Sequence, residues 1–235
     1  MTGGARRIWV TRASPGAEAT AARLEAMGLT PLVDPLLDVC DLSPPVDLAG
    51  VAALAFTSVN GVTAFARLDA DRERLVFAVG DRTARAAREA GFSTVISAAG
   101  DVEALARLIL DHAGRMDGAV LHPSALEPAG DLVAPLVSAG LNAWRLAVYE
   151  TVERDPSPST LAELGEMEAV LLHSPRAARA LSHWLAERPA PRLRALCLSA
   201  AVARPLDGLA PAGRLGGVTS APHPNETALL ALLTP

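Results

Sequence analysis

Hydroxyls and arginines recur in this sequence at one kind of place, the carboxyl end of an apolar run just ahead of a helix-forming stretch. Thr11-Arg12, Thr57-Ser58, Thr83, Ser124, Ser174, Ser199 and Thr219-Ser220 all stand there or in the first helical turn, with Asn60 close behind Ser58. A helix start presents unpaired N–H groups and the positive end of a dipole, so each such place suits a carboxylate or a phosphate. In a parallel α/β sheet these ends share one edge, and ligands bind at that edge. Taken singly, each Ser or Thr is also an ordinary helix cap. Taken together they describe a cleft for a polyanion. The single tyrosine, Tyr149, ends the run Arg145-Leu146-Ala147-Val148-Tyr149 and adds a different chemistry. A phenol is a protonated hydroxyl at neutral pH and can donate into such a cleft. The position equally suits a half-buried strand residue whose hydroxyl reaches water.

All 21 basic residues are arginines. Without lysine there is no Schiff-base chemistry, and an anion must be held by guanidinium groups, backbone N–H groups or hydroxyls. The histidines, at positions 112, 122, 173, 183 and 223, show no metal-ligand spacing, so no metal is expected. His122 and His223, each followed by proline after a strand, read as ordinary loop histidines. His173, beside a strand end, either faces a ligand or is a satisfied interior residue. Cys40 and Cys197 lie far apart and make neither a zinc site nor a disulfide framework, which fits a reducing compartment. The chain lacks Gly-x-Gly-x-x-Gly, the Gly-x-x-x-x-Gly-Lys phosphate loop, the Gly-x-Ser-x-Gly elbow and His-Glu-x-x-His, which takes most of the weight from nucleotide, hydrolase and zinc readings. A net charge of −5 gives no basic footprint for nucleic acid. No apolar run approaches the roughly 20 residues of a membrane span, and the short one after Arg6-Arg7 makes no secretory signal. The expectation is a cytoplasmic protein, a monomer, with neither nucleic acid nor membrane as partner.

These residues need a frame. Half of the 235 residues are hydrophobic but only 3% are aromatic, so the core must be built from Ala, Leu and Val. Short β-rich runs alternate with Ala-rich stretches throughout, the pattern of parallel sheets covered by helices. Ile8 to Thr11 reads as a strand, Ser14-Pro15 as the start of a helix ending at Gly28, and Leu29 to Leu37 as an extended segment. Further strands are expected at 53–57, 75–79, 94–97, 120–121, 146–149, 169–172, 196–198 and 217–219. The helices between them open near Asn60, Asp81, Asp101, Ser174 and Asn225, with one more ending at Gly140. Proline-rich stretches at 41–47 and 155–158 read as separators.

The chain also repeats itself. Phe56-Thr57-Ser58 matches Leu172-His173-Ser174, Ser97 to Leu110 resembles Ser220 to Leu233, and Val10 to Leu29 resembles Leu121 to Leu141. The N-terminal unit therefore belongs with the last third of the chain. Residues 1–37 plus 154–235 are expected to form one discontinuous α/β domain, and 38–153 an inserted one, with a cleft between them. One large doubly wound sheet is the alternative.

Thr11-Arg12, Phe56-Thr57-Ser58-Val59-Asn60-Gly61-Val62, Ala78-Val79-Gly80-Asp81-Arg82-Thr83-Ala84 with Ala90-Gly91-Phe92, Val148-Tyr149-Glu150-Thr151 and Ser174-Pro175 resemble the uroporphyrinogen-III synthases in order and spacing, over nearly the whole chain. That resemblance implies two doubly wound parallel-sheet domains joined by a two-stranded connector. It implies a cofactor-free lyase of tetrapyrrole (haem-type) biosynthesis. Its partner would be hydroxymethylbilane, an octacarboxylate, converted to uroporphyrinogen III with loss of water and inversion of the last pyrrole ring. By the family's pattern Tyr149 matches the proposed proton donor, and Arg12, Thr57, Ser58, Asn60, Thr83, Ser174 and Ser199 are the expected substrate-binding residues. One departure stands out: the family's second Gly-x-x-Thr-Ala is Ser199-Ala200-Ala201-Val202-Ala203 here. The lost hydroxyl at Val202 keeps a rival in view, a catalytically weakened two-lobed module that binds a polyanion or tetrapyrrole.

Overall fold

A computed structural model of the chain describes residues 6–14 and 16–234. Its elements run β1 (Arg7–Val10), α1 (Gly16–Ala26), β2 (Thr30–Val33), β3 (Leu37–Asp41), β4 (Val51–Phe56), α2 (Val59–Leu68), β5 (Leu75–Ala78), α3 (Asp81–Glu89), β6 (Val95–Ser97), α4 (Val102–His112), β7 (Ala119–Ala125), α5 (Val133–Ser138), β8 (Ala143–Glu153) and α6 (Pro158–Glu163). They continue with β9 (Met167–Leu172), α7 (Pro175–Glu187), β10 (Ala190–Cys197), α8 (Ala200–Ala203), β11 (Leu215–Ser220) and α9 (Glu226–Ala231). One sheet has the order β11-β10-β9-β1-β2 and the other β3-β8-β7-β4-β5-β6. The first is parallel throughout. In the second, β4 pairs parallel with β5 and β7, as do β5 with β6 and β7 with β8. The α/β class with parallel sheets is what the alternating pattern requires.

By contacts the chain divides into two compact units, one running to Asp38 and resuming at Val152, the other Val39–Thr151. Both boundaries fall inside strands, β3 and β8, which are neighbours in the second sheet. Leu42 N donates to Val148 O at 2.9 Å and Arg154 N to Leu36 O at 3.0 Å, so these two segments run antiparallel.

Each sheet is covered on both faces because its central strands alternate apolar residues at period two. In the discontinuous unit, Ile8, Val10, Ala169 and Leu171 pack with Leu24 of α1 and Leu229 of α9. Trp9, Val170 and Leu172 point the other way, into a cluster with Leu181 and Trp184 of α7. In the inserted unit, Leu54 and Phe56 meet Phe65 of α2 and Ala87 of α3, while Ala53 and Ala55 leave room for Leu105 and Ile109 of α4. Each such Leu or Phe, fully buried, stabilises by about 1.5–3 kcal/mol.

The strand order also fixes where a ligand can be met. In the inserted unit the chain steps outward from β4 to β5 and β6, then returns to the other flank of β4 as β7. In the discontinuous unit it steps from β1 to β2, then returns to the other flank of β1 as β9. Each unit thus has a topological switch point, β4/β7 and β1/β9, and in doubly wound sheets ligands are met at that point, outside the carboxyl ends of the strands.

Several local expectations need correction. Asp155-Pro156-Ser157-Pro158 is no mere separator: Ser157 caps α6, its side chain accepting from Thr160 N, with Pro158 in the first turn. β3 fills the interval between the expected extended segment 29–37 and the proline-rich separator 41–47, and β8 is 11 residues long, well beyond 146–149. Helix α1 starts at Gly16, the Ser14 hydroxyl donating to Glu18; Pro15 lies outside the described residues. His122 is not in a loop. It lies inside β7 and is 2% exposed. Pro123 has no N–H with which to continue the ladder to β4, and the Ala55 carbonyl takes its hydrogen bond from His122 Nδ1 at 2.8 Å instead.

Candidate active site

At the β4/β7 switch point, the turn from β4 into α2 carries Thr57, Ser58 and Asn60. Ser58 has extended backbone and its Oγ accepts from Gly61 N at 3.0 Å, which fixes the first turn of α2. A Cβ on Gly61 would lie 2.9 Å from the Pro123 carbonyl oxygen and 3.3 Å from Ser58 Oγ. The glycine therefore lets the helix start approach the backbone of β7. Tyr149, on β8, brings its hydroxyl to 3.0 Å from Ser58 Oγ. Its ring packs in the cluster of Leu54, Phe56 and Phe65, and the residue is 8% exposed. The resulting chain runs from the positive end of α2 through Gly61 N–H and the Ser58 hydroxyl to the phenol. Thr57 is half-buried and Asn60 exposed on the same turn. Thr83, 6% exposed, sits in the first turn of α3, one strand further out.

At the β1/β9 switch point the hydroxyls serve a different purpose. Thr11 is buried and donates to Leu171 O at 2.7 Å, holding the ends of β1 and β9 together. Its counterpart in the internal repeat is His122, whose bond to Ala55 ties β7 to β4 in the same way. Ser174 caps α7, accepting from Ala177 N at 3.1 Å. Arg12 lies across the start of α1, where a Cβ on Gly16 would collide with its guanidinium. That guanidinium is already paired. Its Nη1 stands 3.2 Å from Glu226 Oε2, which also meets His173 Nε2 at 3.0 Å, while Thr20 Oγ1 donates to Oε1 at 2.5 Å. Burial pushes the Glu226 carboxyl up, but the bonds from His173 and Thr20 and the charge of Arg12 outweigh it and hold the pKa at about 2. His173 Nδ1 is buried without a hydrogen-bond partner among the described residues.

The structure thus brings Tyr149 and Ser58 into contact, with Thr57 and Asn60 beside them. Arg12 and Ser174 share the other switch point, and Ser199 stands one strand out from it. Ser199 opens α8 without a side-chain cap bond, and Val202 is 3% exposed in the Trp9 cluster. Glu226 and Thr20 were missed. Nothing in their own spacing marks them, since they reach Arg12 from α9 and α1 only after the sheet forms. The inserted unit also holds a cavity of about 710 Å³ lined by His122, Leu126, Asp131, Leu132, Val133 and Arg145, among others. Burial keeps the His122 imidazole below its ordinary pKa, and Arg145 adds to that against the Ala55 carbonyl and Asp131.

Fold and edges together define an α/β protein of two doubly wound units whose strand-to-helix turns carry hydroxyls and an arginine, with one phenol hydrogen-bonded to such a hydroxyl. The chain belongs to the uroporphyrinogen-III synthase family: the family model for uroporphyrinogen-III synthase HemD matches residues 18–228. It is accordingly an enzyme of the cyclising-lyase class in tetrapyrrole synthesis. Among solved structures it is similar to uroporphyrinogen-III synthetase from Helicobacter pylori, at 19% identity with 98% of each chain covered and a TM-score of 0.64. It is also similar to a mutant uroporphyrinogen III synthase from Thermus thermophilus, at 20% identity with 97% of this chain and 96% of that one covered and a TM-score of 0.50. At those identities the likeness speaks for the fold. No curated protein sequence matches the chain.

Proposed function

We propose that this chain closes hydroxymethylbilane to uroporphyrinogen III with Tyr149 as the proton donor that starts the reaction. The substrate must lose its hydroxyl: the C–O bond breaks, the oxygen takes a proton and leaves as water, and a conjugated azafulvene cation equivalent remains. That cation attacks the substituted α-carbon of the last pyrrole to give a spiro intermediate. The bond from that carbon to its original methylene bridge then breaks, the released methylene bonds to the ring's free α-carbon, which inverts the ring, and the proton that this carbon carried is lost. One proton enters and one leaves.

The observation that carries the assignment is the hydrogen bond between Tyr149 and Ser58 at 3.0 Å. With the Ser58 hydroxyl donating to the phenolic oxygen, the phenol's own O–H is directed outward. The phenolate left after proton transfer is then held by Ser58, itself bonded to Gly61 N–H at the positive end of α2. Thr57, Asn60, Thr83, Ser174, Ser199 and the nearby helix starts take carboxylates of the substrate, whose eight negative charges match an edge rich in donors. Shape does the rest, holding the chain so that spiro closure outruns simple end-to-end closure. The exposed free thiol of Cys40 is at home in a reducing compartment, and we place the activity in the cytoplasm.

Tyr149→Phe tests the assignment. It removes one oxygen and keeps the ring, so stability should fall by only about 0.5–1.5 kcal/mol. Losing the general acid should slow turnover by roughly 10²–10⁴-fold, and spontaneous closure should shift the product towards the type I isomer. A Phe variant that still forms type III at a near-normal rate would leave Tyr149 as a packing residue of β8.

A further inference from the structure

We propose that Arg12, His173 and Thr20 form a receptor for one substrate carboxylate, which Glu226 of the same chain occupies until substrate takes its place. The inference rests on the function proposed above for the identity of the occupant, but not for the existence of the receptor. A carboxylate is seen bound there. Both of its oxygens are satisfied, Oε2 by Arg12 Nη1 at 3.2 Å and His173 Nε2 at 3.0 Å, Oε1 by Thr20 Oγ1 at 2.5 Å.

The three donors come from three places in the fold, the turn after β1, the turn after β9 and the body of α1. They converge at the β1/β9 switch point, where a doubly wound sheet meets its ligand. A guanidinium, an imidazole N–H and a hydroxyl form a charge-assisted set suited to a carboxylate. The site is partly open, with side-chain exposures of 29% for Arg12, 19% for Glu226 and 10% for His173.

Glu226 stands at the first position of a short helix near the end of the chain, opened by Asn225. Exchanging its carboxylate for one from the substrate replaces like with like, so no donor is left unpaired and the three donors still hold one negative charge. The freed Glu226 side chain turns to water. Glu226 thereby keeps Arg12 and His173 in place for an anion while excluding small anions that offer fewer contacts than an octacarboxylate.

The test uses the full chain with Glu226→Ala, melted in sodium acetate and in sodium chloride at equal ionic strength and neutral pH. The account expects acetate to raise the melting temperature of Glu226→Ala above its value in chloride, to do nothing comparable for the parent chain, and to lose that effect when Arg12→Gln is added. Glu226→Gln keeps the side-chain shape without the charge, and should lower KM for hydroxymethylbilane several-fold because the occupant is easier to displace. Equal melting of Glu226→Ala in the two salts, or an acetate effect that survives Arg12→Gln, would overturn the receptor. A KM for Glu226→Gln that is unchanged or raised would overturn the exchange. The acetate arm needs no turnover: a chain that bound acetate in this way but made no uroporphyrinogen III would count against the proposed function and not against the receptor.

Discussion

Glu226 shows how one half-buried carboxylate couples stability to pH. Its pKa, held at about 2, lies below the ordinary value of 4.5, so the folded chain binds a proton there less readily than the unfolded chain does. Its contribution is complete above the unfolded value and is lost as pH falls from there through about 2. The size is on the order of 3 kcal/mol if the shift is expressed in full. Glu226→Gln should therefore lower the melting temperature near neutrality and flatten the acid limb, so that the parent and variant curves converge towards pH 2. Parallel curves across that range would show that Arg12, His173 and Thr20 do not depress this carboxyl. The sequence marks Arg12 as a candidate substrate-binding residue. That its guanidinium is already paired is not legible there, because its partner lies more than two hundred residues away and arrives with α9.

At the scale of elements, the approach of α2 to β7 sets the Tyr149–Ser58 geometry, and Gly61 makes it possible. Gly61→Ala would gain helix propensity of about 1 kcal/mol. The added Cβ, however, meets a backbone carbonyl at 2.9 Å, which cannot move aside as a side-chain tip can. Overpacking of this kind costs typically 1–3 kcal/mol. The expected result is a net loss of about 1 kcal/mol by urea denaturation together with slower turnover, because Ser58 is displaced; a more stable and fully active variant would contradict the geometry.

The elements themselves were largely readable. Caps at Ser58, Asp101, Ser174 and Asn225 all announce helices that form. What escaped had physical causes. Ser157-Pro158 carries the same cap and first-turn proline as Ser174-Pro175, but its prolines on either side read as a break. His122 was assigned to a loop because a proline follows it. A strand bordered on both sides rarely tolerates proline, and here the side chain of His122 replaces the missing donor to Ala55. β8 extends beyond its apolar stretch at both ends because its first part pairs with β7 as far as Tyr149, across one register shift, and its last part lies beside β3; pairing is not written in local sequence.

For the molecule as a whole, the internal repeat is the deepest statement the sequence makes. Its halves are permuted, and the compact units resolve that permutation by giving the first strands to the unit that closes the chain. The inserted unit has clusters on both faces of its own sheet, so a fragment of about residues 37 to 154 should fold alone, with helical circular dichroism and a single cooperative transition. A soluble fragment without cooperative unfolding would refute its independence. That fragment contains Tyr149 and Ser58 but neither Arg12 nor Ser174. The measurement closest to the central claim is the isomer ratio formed from fresh hydroxymethylbilane at increasing concentrations of the intact chain, read after oxidation to the porphyrins. Spontaneous closure gives type I, so the account predicts that type III rises with the amount of chain until it dominates; a mixture that stays type I at every concentration would contradict it.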